Sequence, residues 1–517
     1  MDAKLERKYT FLTNKYNELL LPTFFMVMSE KECAVIDVII IGFLLEPVQL
    51  SVVNLASPMT YLTGIFYILF GQGGNLLALR AQSQLQHEKV NYYFTLSIVG
   101  ILAFTLLYVL CIFLFVDNIL MFFNTPQQIF NISKEYLLML MFYYPLNCYI
   151  LVISFFIRGD GFPKMPFYAV LIANIVNIIF DLVFLTVFHM GIAYTALASV
   201  IGYLVGAIYI TTYLFRKNAS YKLISLAKFK IKEILISLKE IVLNTPEVIG
   251  TIFFASKMGL LTYLCSSYLG VAGLLAFLVY DNSETFVYIF LSGIMKTMSP
   301  IVAVLHKERD FEAVQYIISR SLKHVLLISL PVSIIFFIYP EILLTLFNIV
   351  DPYYSEVICL AIRITSFSLV GRCMSYLMAN YTQAIEQNRI SSIITFLEEF
   401  VFAVGGALIL TRLVGGIGIW ISILIAECLP VLVYVIYVVR QQYKYKDIIH
   451  RFFMLQNSNL ITFTLNRDMM GQADDYINDE TRQRMNYIGN AFGENATLIR
   501  KCLRELSKDI FKHDEDL

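Results

Sequence analysis

The sequence predicts an all-α, polytopic membrane protein with twelve transmembrane helices in two pseudo-symmetric six-helix lobes. Of its 517 residues, 58% are hydrophobic and only 15% are charged, a more apolar composition than that of soluble globular domains. Twelve apolar runs are each near or above the ~20 residues that a helix needs to cross a bilayer. Lysine and arginine are concentrated in alternate connections between these runs, as in polytopic membrane proteins.

The apolar runs are predicted to be helices, because only helices or closed barrels satisfy their backbone groups in hydrocarbon, and long continuous runs favour helices. The first 19 residues are polar and mixed in charge, so no cleaved signal peptide is expected. The predicted spans cover residues 20–44, 52–79, 91–116, 136–157, 166–188, 191–215, 241–266, 270–299, 322–346, 356–383, 390–411 and 416–439.

Positive charge marks the connections that we expect to be cytoplasmic. The intervening connections hold only Lys134 and Arg412. By the positive-inside rule, both termini are therefore predicted to be cytoplasmic, in a protein of the cell membrane. The basic residues of the predicted cytoplasmic connections are Arg80, Lys89, Arg158, Lys164, Arg216, Lys217, Lys222, Lys228, Lys230, Lys232, Lys239, Lys307, Arg309, Arg320, Lys323 and Arg389.

The longest basic connection divides the chain into two parts that resemble an internal duplication. An offset of 222 residues aligns Gly71 with Gly293 and Ala81 with Ala303. Parallel repeats of this kind are typical of transporters with a pathway between their lobes. The predicted organisation is a cytoplasmic N-terminus (1–19), an N-terminal lobe (20–215), a basic cytoplasmic linker (216–240), a C-terminal lobe (241–440) and a short cytoplasmic tail (441–517) with an amphipathic helix at 498–514.

The fifth span carries a polar stripe inside an apolar run. Asn174, Asn177 and Asp181 are spaced i, i+3 and i+7, which places them on one helical face. Polar groups are costly in hydrocarbon, so this face should point into the bundle, as a functional site or as hydrogen bonds between helices. Asp37 in the first span lies ~7 Å beyond its midpoint and Asp181 ~6 Å beyond the midpoint of its own span. At one depth, the carboxylates would form a pocket for a shared proton or Na⁺.

The C-terminal lobe also carries charged residues within its predicted spans. They are cavity candidates, and the alternative is that they form buried ion pairs that hold the lobe together. These residues are Lys257, Asp281, Glu284, Lys296, Arg363, Arg372, Glu398, Glu399 and Glu427.

A resemblance to a known family rests on the segments 37–58, 71–82, 158–166, 174–184 and 191–199. These segments resemble the multidrug and toxic compound extrusion family, over about residues 15–440. The resemblance implies antiport coupled to H⁺ or Na⁺ between two six-helix lobes. By position, Asp37 matches the aspartate of the family's first helix, and Asn177 and Asp181 match the polar pair of its fifth. With Asn174, these residues are the expected cation-coupling site, and a sodium ion would bind at Asp37, Asn177 and Asp181.

We therefore expect an antiporter that exports an amphipathic organic compound, often a cation, by alternating access. A flippase for a lipid-linked saccharide is the alternative within transport, and a signalling protein that acts through its tail is the alternative of another class. No constellation of residues suggests catalysis, and the eight cysteines show neither a zinc nor a disulfide pattern. We expect no enzyme, no cofactor and no nucleic-acid partner, and a protein that functions as a monomer in the lipid bilayer.

Overall fold

The computed structural model describes residues 3–216, 219–225, 229–245, 247–308 and 310–444. All regular structure in these ranges is helical, without a strand, so the predicted all-α class is confirmed. The described helices belong to one compact unit, apart from the last residue of the helix that ends at Ser83. The predicted tail from residue 445 onward, with its helix at 498–514, lies outside the described residues.

The helices before the linker occupy the predicted N-terminal lobe. They are α1 (Ala3–Leu44), α2 (Pro47–Tyr67), α3 (Gly74–Ser83), α4 (His87–Phe122), α5 (Phe130–Leu140), α6 (Tyr143–Gly159), α7 (Lys164–Leu182) and α8 (Ala193–Thr211). The later helices are α9 (Ile231–Leu243), α10 (Glu247–Lys307), α11 (Phe311–Ile338), α12 (Glu341–Leu346), α13 (Pro352–Thr365), α14 (Ser368–Ala384), α15 (Asn388–Phe396), α16 (Gly406–Val414) and α17 (Ile417–Lys444). Wider π-helical turns at Ile68–Gly73, Val183–Val187 and Leu397–Gly405 continue α2, α7 and α15.

Local sequence explains where several helices begin. Pro47 and Pro352 are the first residues of α2 and α13, where a missing backbone N–H costs nothing. The Asp310 side chain accepts a hydrogen bond from Ala313 N at 3.1 Å and caps α11. Asp351 caps α13 in the same way, through Tyr353 N at 2.9 Å.

Eight of the described helices are long and apolar enough to cross a membrane, or ten spans if each of two bent helix pairs counts as one. The protein is therefore a multi-pass membrane protein. The bent pairs are α5 with α6, at 41°, and α13 with α14, at 43°. Residues 136–157 and 356–383, which we expected to be single spans, are each broken, at residues 141–142 and 366–367.

α10 is a 61-residue helix with one break, at Gly270. The backbone of Gly270 has φ 60° and ψ −138°, a conformation that a residue with a Cβ rarely adopts. This break falls at the predicted connection between the seventh and eighth spans. The helix continues on both sides of Gly270 but is kinked there, where the sequence predicts a turn between two spans.

The described residues of the linker are attached by hydrogen bonds to residues that precede it in the chain. Asp160 Oδ2 accepts a hydrogen bond from Ser220 N at 3.1 Å, and Asn91 Oδ1 accepts one from Lys222 N at 2.8 Å. Thr95 Oγ1 accepts a third, from Ile224 N, at 3.0 Å. The next element, α9, extends past the predicted linker boundary at residue 240 and was not anticipated from the sequence.

Candidate functional site

The polar face of α7 is buried against its neighbours. Asn174 and Asn177 are each 5% exposed, and Asp181 is 0% exposed. α8 packs closely on this face because Gly202 has no side chain: a Cβ there would lie 2.3 Å from the Ala173 carbonyl oxygen. Small residues allow this kind of close approach in membrane helices. The short distance between α7 and α8 fixes the position of the polar stripe.

The structure brings Asp37 and Asp181 together. α1 packs against α7, and the two carboxyl groups interact directly. Asp37 Oδ1 and both carboxyl oxygens of Asp181 are buried and receive no hydrogen bond from the described part of the chain. Asn177 lies beside Asp181, but its amide donates to Ser199 Oγ at 3.1 Å. Two acceptor-only groups in contact require a proton or a cation between them.

Tyr136 and Ser199 belong to this site and were missed by the sequence analysis. Tyr136, on α5, is buried and lies close enough to interact electrostatically with both aspartates. Ser199, on α8, holds the Asn177 amide. Neither residue shares a helix or a periodic pattern with the aspartates, so no signal in the sequence connects them. Only the packing of α5 and α8 on α1 and α7 assembles the site.

A second feature is a cavity of about 1050 Å³ between helices that precede the linker and helices that follow it. It is lined by α2 and α6 on one side, and by α10, α14 and α15 on the other. It extends from the turn between α14 and α15, at Gln383 and Asn388, to Asp281 and Glu284 in the second part of α10. Its size is that of a site for a drug-sized molecule.

The cavity lining combines acidic and aromatic side chains. The acidic residues are Glu247, Asp281, Glu284 and Glu399, and Arg372 is the single basic residue among the described lining residues. Such a surface suits an organic cation, which is attracted by carboxylates and by the faces of aromatic rings. The aromatic lining residues are Tyr61, Tyr67, Phe253, Phe254, Tyr288, Tyr376 and Phe396.

The charges of the C-terminal lobe form a network behind and beside this cavity. Lys257 Nζ lies 2.6 Å from Glu399 Oε2 and 3.4 Å from Glu427 Oε1, and all three side chains are buried. Ser375 Oγ donates to Glu398. Glu399 both pairs with Lys257 and faces the cavity.

A second ion pair, between Arg372 and Glu284, lies next to a hydrogen bond that connects α10 to α2. Arg372 Nη1 is hydrogen-bonded to Glu284, which also accepts from Ser368 Oγ at 3.1 Å. Asp281, one turn before Glu284, accepts a hydrogen bond from Tyr61 OH of α2 at 2.9 Å. This bond crosses between the two lobes at the inner end of the cavity. The network holds more carboxyl groups than basic groups, so its excess negative charge requires protons or cationic ligands.

Two residues that we predicted as cavity candidates, Arg363 and Lys296, are not among the described residues that line this cavity. Arg363 is on the exposed side of α13 and pairs with Glu341 at 3.1 Å, with both side chains about half exposed. Lys296 is exposed on α10 and is absent from the described cavity lining. Both side chains are positioned by the rotation of their helices, which the sequence spacing alone did not determine.

Membrane-spanning helices that surround a polar cavity with acidic groups are the arrangement expected of a membrane transporter. A sequence profile of one transporter family, MatE, matches residues 22–183 and 246–409, which is more than half of the chain. The chain belongs to the MatE family. The resemblance to the multidrug and toxic compound extrusion family is thus confirmed.

Individual relatives agree with this assignment. The chain is 22% identical to the multidrug export protein MepA of Staphylococcus haemolyticus, over 79% of this chain and 89% of that protein. A structure described as the inward-facing conformation of a multidrug resistance MATE family transporter has a TM-score of 0.73 and 18% identity, covering 83% of this chain and 98% of that one. An outward-facing structure of the same description has a TM-score of 0.61 and 19% identity, covering 84% and 96%.

Proposed function

We propose that the protein is a cation-coupled antiporter that exports amphipathic organic cations by alternating access of its two lobes. The observation that carries the proposal is the contact between Asp37 and Asp181, in which Asp37 Oδ1 and both carboxyl oxygens of Asp181 are buried without a donor from the described residues. A proton or a sodium ion would relieve the repulsion between these carboxyl groups, and its loss would restore it. Cation binding therefore favours one arrangement of α1 against α7, and cation release favours another.

Sodium and proton fit this site better than a divalent metal. Among the described residues no group of three or more His, Cys, Asp or Glu side chains could hold a metal ion. Asp37, Asp181 and the carbonyl oxygen of the Asn177 side chain would offer oxygen ligands to a sodium ion. Asn174, buried one turn earlier on α7, lies on the same face.

The number of spans is proposed to be twelve, as the sequence predicts. Eight long helices and two bent pairs give ten candidate spans, and in this count α10 is a single span. At 61 residues, α10 is ~90 Å long, about three times the thickness of the hydrocarbon core, so its two parts on either side of Gly270 supply two spans. α1, with 42 residues, is long enough to supply the twelfth.

The cavity supports an inward-open state and cytoplasmic termini. It reaches the turn between α14 and α15 and the start of α10 at Glu247, both on the side that the charge pattern predicts to be cytoplasmic. On the opposite side the lobes are in contact: Asn348 Nδ2 donates to Gly42 O at 3.3 Å, and Ser266 Oγ donates to Asn124 O at 2.9 Å. The higher TM-score against the inward-facing relative agrees with this state.

The substrate class is inferred from the cavity and from the relatives. MepA is described as a multidrug export protein, and the acidic, aromatic lining here suits flat or flexible organic cations. The flippase alternative is less favoured, because a phosphate group would need free basic residues. Arg372 is the single described base of the lining and is paired with Glu284.

The test is efflux of a fluorescent organic cation from proteoliposomes under an imposed proton gradient or sodium gradient. The wild-type protein should show efflux under one of them, and Asp181→Asn should abolish the response to that gradient. Asp117→Asn makes the same exchange at a half-exposed carboxyl group outside this site, and this matched control should retain the dependence. Gradient-driven efflux that persists in Asp181→Asn would contradict the proposal. No efflux by the wild-type protein under either gradient would favour the flippase alternative, with a lipid-linked substrate.

The signalling alternative is tested by deleting residues 446–517. A transporter should keep its gradient-driven efflux without the tail, whereas a sensor that acts through the tail should lose its output. Action as a monomer in the cell membrane, without cofactor or nucleic acid, stays a prediction. Single-molecule counting of labelled protein in vesicles would measure the number of subunits.

A further inference from the structure

The linker helix α9 is fixed to the N-terminal lobe by one face. Ile241 and Ser237 are buried, and Tyr93 OH donates to Glu240 Oε2 at 3.1 Å. Just beyond the helix, Arg80 Nη1 donates to Asn244 Oδ1 at 2.7 Å. These contacts fix the rotation of α9 about its axis, so the residues on its opposite face point away from the bundle.

The outward side of α9 is apolar and basic. Ile231, Leu235 and Val242 are 78%, 62% and 56% exposed. With the partly buried Leu238 they are spaced i, i+4, i+7 and i+11, which forms one continuous stripe along the helix. The exposed Lys232 and Lys239 lie beside this stripe, two turns apart on the same side.

The acidic residues of α9 do not offset these lysines. Glu233 lies 3.6 Å from the exposed Lys230, and Glu240 is held by Tyr93 on the buried face. An apolar stripe flanked by lysines is the pattern of a helix that lies in the surface of an anionic bilayer.

The depth of α9 in the membrane follows from the helices that it contacts. Ile241 packs with Leu77 and Leu96, and with Tyr93, which is six residues into α4. With 36 residues, α4 is ~54 Å long and exceeds the ~30 Å hydrocarbon core, so its first turns extend into the interfacial layer. α9 thus lies at the end of the transmembrane bundle, at the level of the lipid headgroups.

We infer that α9 is a lipid-binding element: its stripe inserts into the bilayer surface, and Lys232 and Lys239 bind the phosphates of anionic phospholipids. The negatively charged cytoplasmic leaflet attracts such basic segments. Because α9 is fixed to the N-terminal lobe, lipid binding there anchors that lobe during the rearrangement. The inference concerns residues that are not among the described lining of the cavity, and it does not depend on the transported substrate.

The test uses the full-length protein in phosphatidylcholine vesicles that contain phosphatidylglycerol. Leu235→Trp places a fluorophore in the stripe, and the wild type, with only the buried Trp420, gives the background. Brominated acyl chains, which quench tryptophan, are carried by one of the two lipids at a time. We expect quenching above background, and stronger quenching at equal mole fraction when phosphatidylglycerol carries the bromine.

Neutralising the lysines separates headgroup binding from apolar contact. In the Leu235→Trp protein, Lys232→Gln with Lys239→Gln should lower the preference for phosphatidylglycerol by roughly fivefold for each lysine removed. Lys89→Gln with Lys164→Gln, on other connections of the same predicted side, should leave the preference unchanged. Quenching at the background level, or equal quenching by both lipids, would overturn the inference. So would protection of the fluorophore that occurs only at high protein density, which would indicate a second copy on the stripe.

Discussion

Lys257 is the residue on which the charge balance of the C-terminal lobe depends. Its ammonium group lies between Glu399 and Glu427, both buried, at 2.6 and 3.4 Å. It also lies over the ring of Phe254, 5.4 Å from the ring centroid. Since Glu399 faces the cavity, a cationic substrate of the proposed kind would compete with Lys257 for the same carboxylate. This lysine is therefore both a structural counter-ion and a determinant of cavity charge.

Replacing Lys257 by methionine should destabilise the protein. The change keeps the length of the side chain but leaves two buried carboxylates without their counter-ion, at a cost of about 3–5 kcal/mol. Thermal unfolding in detergent should show a clearly lower midpoint. Adding Glu399→Gln to Lys257→Met removes part of the uncompensated charge and should recover part of the loss.

The exposed Lys323 supplies the control for this change, because Lys323→Met removes a lysine without burying a charge. Its unfolding midpoint should stay close to that of the wild type. If Lys257→Met were as stable as Lys323→Met, the ion pairs of the lobe would contribute nothing to stability.

The helices depart from ideal α-helical geometry at the buried charges beside the cavity. Glu398 and Glu399 are consecutive, yet both are 3% exposed. They lie in the π-helical stretch Leu397–Gly405, whose wider turn changes the direction of successive side chains. One carboxylate reaches Ser375 and the other reaches Lys257. π-helical turns inside α-helices are frequent at functional sites.

Gly202 should be necessary for the packing of α8 on α7. A Cβ at this position would lie 2.3 Å from Ala173 O and 3.0 Å from Asn177 Cβ. Gly202→Ala should therefore push α7 aside, at a cost of about 1–3 kcal/mol, and should weaken cation-driven efflux. Both the unfolding midpoint and the efflux rate should fall.

Gly259→Ala is the matched control for Gly202→Ala. No atom lies within 4 Å of a Cβ built on Gly259, which is also in a helix. This variant should keep the efflux rate and unfold no earlier than the wild type, because alanine favours helices over glycine. Equal behaviour of the two variants would contradict a role for close packing at Gly202.

At the scale of the whole molecule, the helices before and after the linker are separated by the cavity on one side and in contact on the other. The cavity of about 1050 Å³ lies between them on the side of the α14–α15 turn. On the opposite side, the backbones of the lobes are close: a Cβ on Gly42 would lie 2.5 Å from Phe347 O. Alternating access requires these contacts to break when the cavity closes.

A cross-link on the closed side should therefore arrest transport. Asn124→Cys and Ser266→Cys place two thiols at this contact, where Ser266 Oγ lies 2.9 Å from the backbone oxygen of Asn124, and loss of free thiol would report that the disulfide has formed. The background should carry Cys265→Ser, since the native Cys265 is the immediate neighbour of the new thiol. Oxidation should stop efflux in the double variant, and reduction should restore it. Each single variant, treated identically, reports non-specific damage, and continued efflux of the cross-linked protein would contradict the proposed rearrangement.

Most of the helical architecture was predictable because hydrocarbon imposes a simple rule on the chain. A span must be long, apolar and helical, so composition and run length located the elements. The bends near Phe142 and Phe367, and the helix α9, were not predicted. Bends within apolar runs leave hydropathy unchanged, and α9 is too short and too polar to stand out as a span.

The candidate site was predicted in part. Asn174, Asn177 and Asp181 lie on one helix, so their common face followed from the helical period alone. Their contact with Asp37 was an inference from depth, and the structure brings the two carboxyl groups together. The period fixes a face only within one helix. It does not determine which other helix that face meets, so Tyr136, Ser199 and the exposed position of Arg363 could not be found.

The sequence by itself determined that this chain is an all-helical membrane protein of a transporter family, with a polar stripe in one span. These properties are local: they depend on composition, on periodicity and on matches along the chain. Only the tertiary structure decided that α1 meets α7, that Tyr61 reaches Asp281 across the lobes, and that the cavity opens on one side. The reason is physical, since the rotation, bending and pairing of helices depend on packing among residues distant in sequence.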